Sequence, residues 1–315
     1  MTPLLPAEPT QEVVDILAKD RELVFTVARA LRERHGLSGD PEILGRASTL
    51  CCGIGDLVVM KVFAPHDLAL RDTEAAVLAH LEGQLPVATP SLLATDEIEG
   101  WPYVLMSRLP GRTLGAWRGT LSKEQLARTC GALGELIAAL HALPLGPLAT
   151  TREAFRGWVA SQRAAGVAHH RSRGLAEEWL ELVPGFLDRV ELGLERDDWS
   201  PVMLHTEIME DHVLVEERSG APCLSGLVDF EPSMGGHPDY ELASVGLFVT
   251  RGEPGLFAAF LAGYGAAADD ELPRRALSWS LLHRYANLAR DLRNRPVPPG
   301  PPDLDALARL WWRLD

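Results

Sequence analysis

The sequence predicts an α+β chain of two lobes, a β-rich N-terminal lobe followed by a mainly helical C-terminal one. Three observations lead there. The chain has 315 residues, more than the roughly 100 to 200 of one typical domain. Short β-branched and apolar runs crowd the stretch between Glu42 and Ser107, the pattern of strands joined by tight turns. Beyond it the apolar residues recur mostly at helical spacing. The division is placed at 107/108, giving lobes 1–107 and 108–315.

In order along the chain, Glu12 to His35 carries apolar positions at helical spacing and stops at Gly36, predicting one or two helices. EILGRASTLCCGIGDLVVMKVF then reads as strand, loop, strand, turn, strand, with the turn at Gly55-Asp56. Arg71 to Glu82 predicts a helix capped by Asp72 or Thr73 and stopped by Gly83, and Trp101 to Met106 a further strand. Leu121 to Leu143 is helical, and Thr151 to Leu194 continues so with a break at Pro184-Gly185. PVMLHTEIMEDHVLVEERSGAPCLSGLVDFEP interrupts the helices with three short apolar runs, split by a polar octet and by a turn at Ser219-Gly220. Helices follow over about 240–264 and 277–292, then a stiff PVPPGPP connector and a last helix anchored by Trp311 and Trp312.

Composition narrows the function. With 46% apolar and 23% charged residues the chain is globular, and no run approaches 18 apolar residues. A net charge of −14 argues against a nucleic-acid surface and permits attraction of cationic small molecules. MTPLLPAEPTQEVVD does not read as a secretory signal, so a cytoplasmic location is expected, without a membrane partner. Cys51, Cys52, Cys130 and Cys223 form no CxxC pair and read as reduced thiols.

The chemistry starts at Lys61. It sits inside the apolar run LVVMKVF, where a charge needs a partner, and the chain has just two other lysines, Lys19 and Lys123. A strand lysine can pair with phosphates while a helix glutamate holds it, and Glu74 is the nearest candidate. Replacing Lys61 is expected to impair nucleotide use more than stability. The loop Gly45 to Ser48 can cover phosphates with backbone N–H groups or be an ordinary turn. The octet His205 to His212 places acids and bases between two strands, and Asp229 ends the next one. If those two later strands form a hairpin, carboxylates gather where a divalent cation can bind. His205, Glu207 and His212 lack the HExxH spacing of a metal hydrolase.

LHTEIMEDHVLV followed by LVDFEPSMGGHPDYELA resembles the catalytic-loop and metal-loop signatures of the aminoglycoside phosphotransferase and choline kinase superfamily. The family pattern is HGD, four residues, N, then an aspartate-led loop and GDPxxDLA. Here His205, Thr206, Glu207, His212, Asp229 and GHPDYELA stand at those positions. VVMKVF with Lys61, Glu74, YVLMSRLPG, IAALHALP at His141 and FLAGYG extend the likeness over most of the chain.

The resemblance implies a bilobal protein-kinase-like fold and transfer of the terminal phosphoryl group of ATP or GTP to a hydroxyl of an antibiotic, of aminoglycoside or nucleoside type, inactivating it. It implies magnesium (Mg2+) held by Asp229, with His212 in place of the metal-binding asparagine, and Glu207 orienting the hydroxyl beside His205. Lys61 and Glu74 would hold the nucleotide, with Gly45 and Ser48 over its phosphates and Met106 to Leu109 at its base. The changes at Glu207 and His212 leave a nucleotide-binding pseudokinase as an alternative, and a choline or homoserine kinase is the metabolic one. For the acceptor, Asp239, Glu241, Asp269, Asp270 and Asp291 offer negative charge, and a helix over SWSLLHRYANLARDLRN offers Trp279, His283, Arg284, Tyr285 and Asn287. His169-His170 reads as a solvated pair.

Overall fold

A computed structural model describes residues 4–45, 48–295 and 297–315. It divides into two compact units, 1–111 with 226–232, and 112–225 with 233–315.

The first unit opens with α1 (Gln11–Leu17) and α2 (Arg21–His35), capped by the Thr10 and Asp20 side chains and ended by Gly36 at a φ of +61°. β1 (Pro41–Glu42), β2 (Leu50–Ile54) and β3 (Val58–Val62) follow, then α3 (Leu68–Leu81), β4 (Leu92–Ile98) and β5 (Trp101–Ser107). The strands form one antiparallel sheet in the order β1-β2-β3-β5-β4. Alternation sorts its two faces. Met60 and Val62 join Val24, Val27 and Leu31 of α2 in one buried cluster, so Lys61 between them points to the opposite face. α3 begins three residues before the expected start. Asp72 and Thr73 therefore lie inside it, where the Thr73 hydroxyl donates back to the Ala69 carbonyl at 2.9 Å.

The second unit begins with β6 (Arg112–Thr113), α4 (Leu114–Arg118) and α5 (Lys123–His141), the last opened by a reciprocal capping box of Ser122 and Gln125. α6 (Arg152–Ser172), α7 (Glu177–Leu180) and α8 (Leu182–Arg189) come next. The expected break at Pro184 is not there. Pro184 is the third residue of α8, within the first turn, where its missing N–H costs no helical bond. The chain breaks instead after Arg173, at Gly174 with a φ of +80°.

β7 (Val202–Leu204), β8 (Val213–Arg218), β9 (Ala221–Leu227) and β10 (Met234–Gly236) carry the polar loops. β8 lies between β6 and β9, and β10 pairs antiparallel with β7. After β10 a 3-10 turn over 238–241 leads into α9 (Leu242–Ser244) and a π-helical run over 245–250. The expected continuous helix to Tyr264 is interrupted at Arg251, Gly252 and Gly255, all at positive φ. α10 (Leu256–Tyr264) packs on α5 so closely that a Cβ at Gly263 would stand 1.9 Å from the Gly131 carbonyl oxygen, which accounts for glycine in the FLAGYG segment.

α11 (Leu272–Leu282), α12 (Leu288–Asn294) and α13 (Leu304–Trp311) complete the unit. The single helix expected over 277–292 is two, parted at His283–Asn287. Trp311 and Trp312 are buried. His170 is buried with Nε2 3.0 Å from the Leu281 carbonyl, and His169 Nε2 lies 2.7 Å from that of Ala286, so this pair is internal rather than solvated.

Candidate active site

In the first unit, Lys61 is 8% exposed, and its Nζ meets three carboxylates. It donates to Glu74 Oε2 at 2.5 Å, to Glu231 Oε2 at 2.7 Å and to Asp229 Oδ1. Glu74, fully buried on α3, uses its other oxygen to accept the Phe230 N–H at 3.2 Å. One carboxylate thus ties strand, helix and the 226–232 loop together. Asp229 sits at a φ of +76°, a left-handed conformation that aspartate tolerates better than most residues.

Burial opposes the charge on Lys61, but Asp229, Glu231 and Glu74 override it and hold its pKa above the ordinary value. Burial pushes the Glu231 carboxyl up to about 8, with Asp229 and Glu74 adding to the rise and Lys61 opposing it. Three acids around one base leave a surplus of negative charge. Carboxylate oxygens of Glu74, Asp229 and Glu231 lie within 4.8 Å of one another, and an all-oxygen set is what magnesium takes. Cys51, the cross-strand neighbour of Lys61, has its thiol pushed up to about 12 by burial and is no nucleophile.

The remaining candidates of this unit are dispersed. Gly45 and Ser48 are exposed, and Arg46 and Ala47 between them lie outside the described residues. Met106 is 3% exposed inside β5, in register with Val59 and Leu92. Beyond it the N–H groups of Ser107 and Arg108 donate to Ser91 and Leu57 carbonyls at 2.9 and 2.8 Å.

In the second unit the catalytic-loop segment leaves β7 at His205. Glu241, 1% exposed, accepts the His205 N–H on Oε2 and the Thr206 N–H on Oε1, both at 2.8 Å. Ser244 Oγ accepts the Ile208 N–H at 3.1 Å. Thr206 has a φ of +73°, which is uncommon for a β-branched residue. It occupies the position where the resembled motif has glycine. His212 Nδ1 lies 2.8 Å from the Glu207 carbonyl oxygen. The His205 and His212 rings are 5.9 Å apart.

His283 reaches the same loop. Its Nε2 donates to the Thr206 carbonyl at 3.1 Å, and its Nδ1 accepts the Tyr285 N–H at 3.1 Å. Its ring stacks on Tyr240, centroids 5.0 Å apart. Burial brings its pKa down to about 4, the Thr206 bond opposing the fall. This imidazole is therefore neutral at physiological pH.

A family model described as the phosphotransferase enzyme family matches residues 52–278. The chain belongs to that family. This phosphotransferase resembles the aminoglycoside phosphotransferase APH(2")-IIIa in its GDP and kanamycin complex at 18% identity and a TM-score of 0.69, over 86% of this chain and 93% of the other. It resembles APH(2")-IIa in its streptomycin and ATP ternary complex at 14% identity and a TM-score of 0.57, over 93% and 98%. APH(3")-Id from Streptomyces rimosus, with ADP and streptomycin, matches at 16% identity and a TM-score of 0.58, over 82% and 98%. The fold of this phosphotransferase is thus that of the aminoglycoside kinases. Its described residues include no helix long and apolar enough to cross a membrane.

Two residues of these clusters, Glu231 and Glu241, were not assigned their places from the sequence. Glu231 stood in DFEP, two residues past Asp229, and reaches Lys61 through the loop that follows β9, where Asp229 has a φ of +76°. Glu241 stood in GHPDYELA but read as negative charge for an acceptor. Of the other acids read that way, Asp239 and Asp269 pair with Arg275 at 3.4 and 3.0 Å. Asp291 is buried, 3.1 Å from Arg290 Nε and 3.7 Å from Arg295 Nη1.

Proposed function

We propose that this phosphotransferase is an active small-molecule kinase that moves the terminal phosphoryl group of ATP or GTP to a hydroxyl of an antibiotic, inactivating it. The observation that carries the reading is Lys61, a nearly buried cation held by Glu74 and flanked by Asp229 and Glu231. A nucleotide phosphate gives that lysine a new partner.

The residues divide the work as follows. Lys61 binds phosphate oxygens, and Glu74 keeps it in place. Asp229 and Glu231 hold magnesium, which when bound neutralises charge on the phosphates. Glu207 orients the acceptor hydroxyl and receives its proton as the oxygen bonds to the γ-phosphorus. The bond from that phosphorus to the bridging oxygen breaks, and the nucleoside diphosphate leaves with the electron pair. Glu241 and His283 hold the loop that carries Glu207. At the base, the Leu109 N–H is the backbone donor left among Ser107 to Pro110, since those of Ser107 and Arg108 are taken and proline has none. A cytoplasmic site of action fits nucleotide as donor.

The test is incubation of the full chain with magnesium and ATP or GTP against pooled antibiotics and amino alcohols, read by mass spectrometry for one added phosphoryl group. Transfer that disappears in folded Asp229→Asn supports the reading. Nucleotide binding with no transfer to any acceptor and no nucleotide hydrolysis would instead favour the pseudokinase.

A further inference from the structure

The second unit holds a cavity of about 560 Å3 that no residue of the octet His205 to His212 lines. Its wall is formed by the loop after α8, by His237 and Asp239 ahead of α9, and by the start of α11. Arg275, on that wall, is in the first turn of α11, whereas His283, which bonds to Thr206, is its C-cap. The two are about 12 Å apart along an axis that rises roughly 1.5 Å per residue, so the cavity is separate from the catalytic loop. Its loop wall is fixed from behind by α6. Arg156 Nε donates to the Leu194 carbonyl at 2.6 Å and Arg152 Nη1 to Asp197 Oδ1 at 3.0 Å.

His237 supplies a buried donor to this space. The residue is 8% exposed and packs on Trp199 and Trp279, with ring centroids 4.8 and 5.8 Å away. Its Nδ1 accepts the Asp239 N–H at 3.2 Å, so the proton of the neutral ring is on Nε2. Burial holds its pKa below the ordinary value, Asp239 opposing the fall. Nε2 has no hydrogen-bond partner among the described residues, and it would stand 3.8 Å from a Cβ on Gly193, a residue of the cavity wall. A buried N–H left without a partner is costly. His237 occupies the place where the resembled GDPxxDLA motif has aspartate, a residue that can cap the turn but offers no such donor.

The charge of the wall is negative, five acids against three arginines. Arg275 is already committed, to Asp269 through Nη1 and Nη2 at 3.0 and 3.1 Å and to Asp239 through Nε at 3.4 Å. Arg189 lies 3.5 Å from Asp305, and Arg196 is exposed. Glu191 and Asp198 have no ion-pair or hydrogen-bond partner among the described residues, and both are exposed. We propose that this cavity is a second small-molecule site that takes a hydroxylated amine, whose ammonium groups pair with Asp198 and Glu191 and whose oxygen accepts from His237 Nε2. The volume is that of a site for a molecule of one or a few rings, about 300–1,000 Å3. Occupancy needs neither nucleotide nor phosphoryl transfer.

Isothermal titration calorimetry of the full chain without nucleotide compares three probes: the glucosamine disaccharide, cellobiose, which has hydroxyls in place of the amines, and spermidine, which has amines and no hydroxyl. The expected result is saturable binding of the first, with cellobiose at least about 10-fold weaker for the loss of a charged hydrogen bond, and spermidine weaker too. Asp198→Asn, at an exposed position, should weaken binding of the glucosamine disaccharide about 10-fold at unchanged Tm. His237→Asn, which keeps a side-chain cap for the Asp239 N–H and removes the ring donor, should weaken it as well, a melting curve checking the fold. Glu207→Gln should leave this affinity as it is. Absence of saturable binding at millimolar glucosamine disaccharide, equal or tighter binding of cellobiose or spermidine, or an affinity indifferent to both Asp198→Asn and His237→Asn overturns the proposal. Binding lost in Glu207→Gln and kept in Asp198→Asn places the amine at the catalytic loop and overturns it as well. The kinase reading is decided by transfer and stands or falls apart from these titrations.

Discussion

The Glu241 carboxylate holds Thr206 in a left-handed conformation, accepting its N–H at 2.8 Å while the second oxygen takes that of His205. The strained residue is one step before Glu207, so the carboxylate sets the position of the side chain proposed to orient the acceptor. Glu241→Gln keeps the shape but removes the charge and one acceptor oxygen. A charged hydrogen bond contributes about 1.5–3 kcal/mol. The expected outcome is a fall in kcat of at least about 10-fold with a smaller change in nucleotide Kd, measured by steady-state turnover and nucleotide titration. Equal loss of both would mark Glu241 as a general stabiliser.

Thr206 itself gives a second expectation. A left-handed conformation costs an L-residue about 1–2 kcal/mol that glycine does not incur. Thr206→Gly should therefore move the denaturant midpoint upward, corresponding to a gain in unfolding free energy of up to about 1 kcal/mol after glycine's greater unfolded-state freedom is counted. A lower midpoint would show that contacts of the buried threonine outweigh the strain.

Lys61→Ala is expected to damage the fold as well as nucleotide use. Glu74, Asp229 and Glu231 would be left facing one another without their shared cation, and stranding buried charge costs about 3–5 kcal/mol. Adding Glu231→Gln should restore part of the stability and none of the activity. Thermal melts of the single and double variants check the first statement, and nucleotide turnover the second.

The His283 pKa gives stability a pH dependence of known sign. Its folded value, about 4, lies below the ordinary imidazole value of 6.5, so the unfolded chain binds the extra proton first. Its contribution is present above about pH 6.5 and is lost as pH falls toward 4. His283→Gln should make the decline of Tm over that window shallower than in the parent protein. Parallel declines would assign the effect to other groups.

Much of this was legible in the sequence, and the failures share a cause. Lys61 stood out as a charge inside the apolar run LVVMKVF, and the polar octet stood out between apolar strands. The helix expected over 277–292 hides a turn because His283 and Asn287 carry no glycine or proline signal; their turn is fixed by bonds to Thr206 and Arg290, far away or side-chain-specific. The acids Asp239, Glu241 and Asp291 read as charge for an acceptor, and pair instead with groups of the chain itself, because a carboxylate's partner is decided by packing, which spacing does not encode.

The 226–232 segment belongs with residues 1–111 although more than a hundred residues separate them in the chain. During synthesis, Lys61 and Glu74 leave the ribosome long before Asp229 and Glu231 exist. For that interval the lysine has one of its three acids, so the early fragment cannot build the complete cluster. Vectorial translation therefore delays assembly of the Lys61, Glu74, Asp229 and Glu231 cluster until most of the polypeptide has emerged.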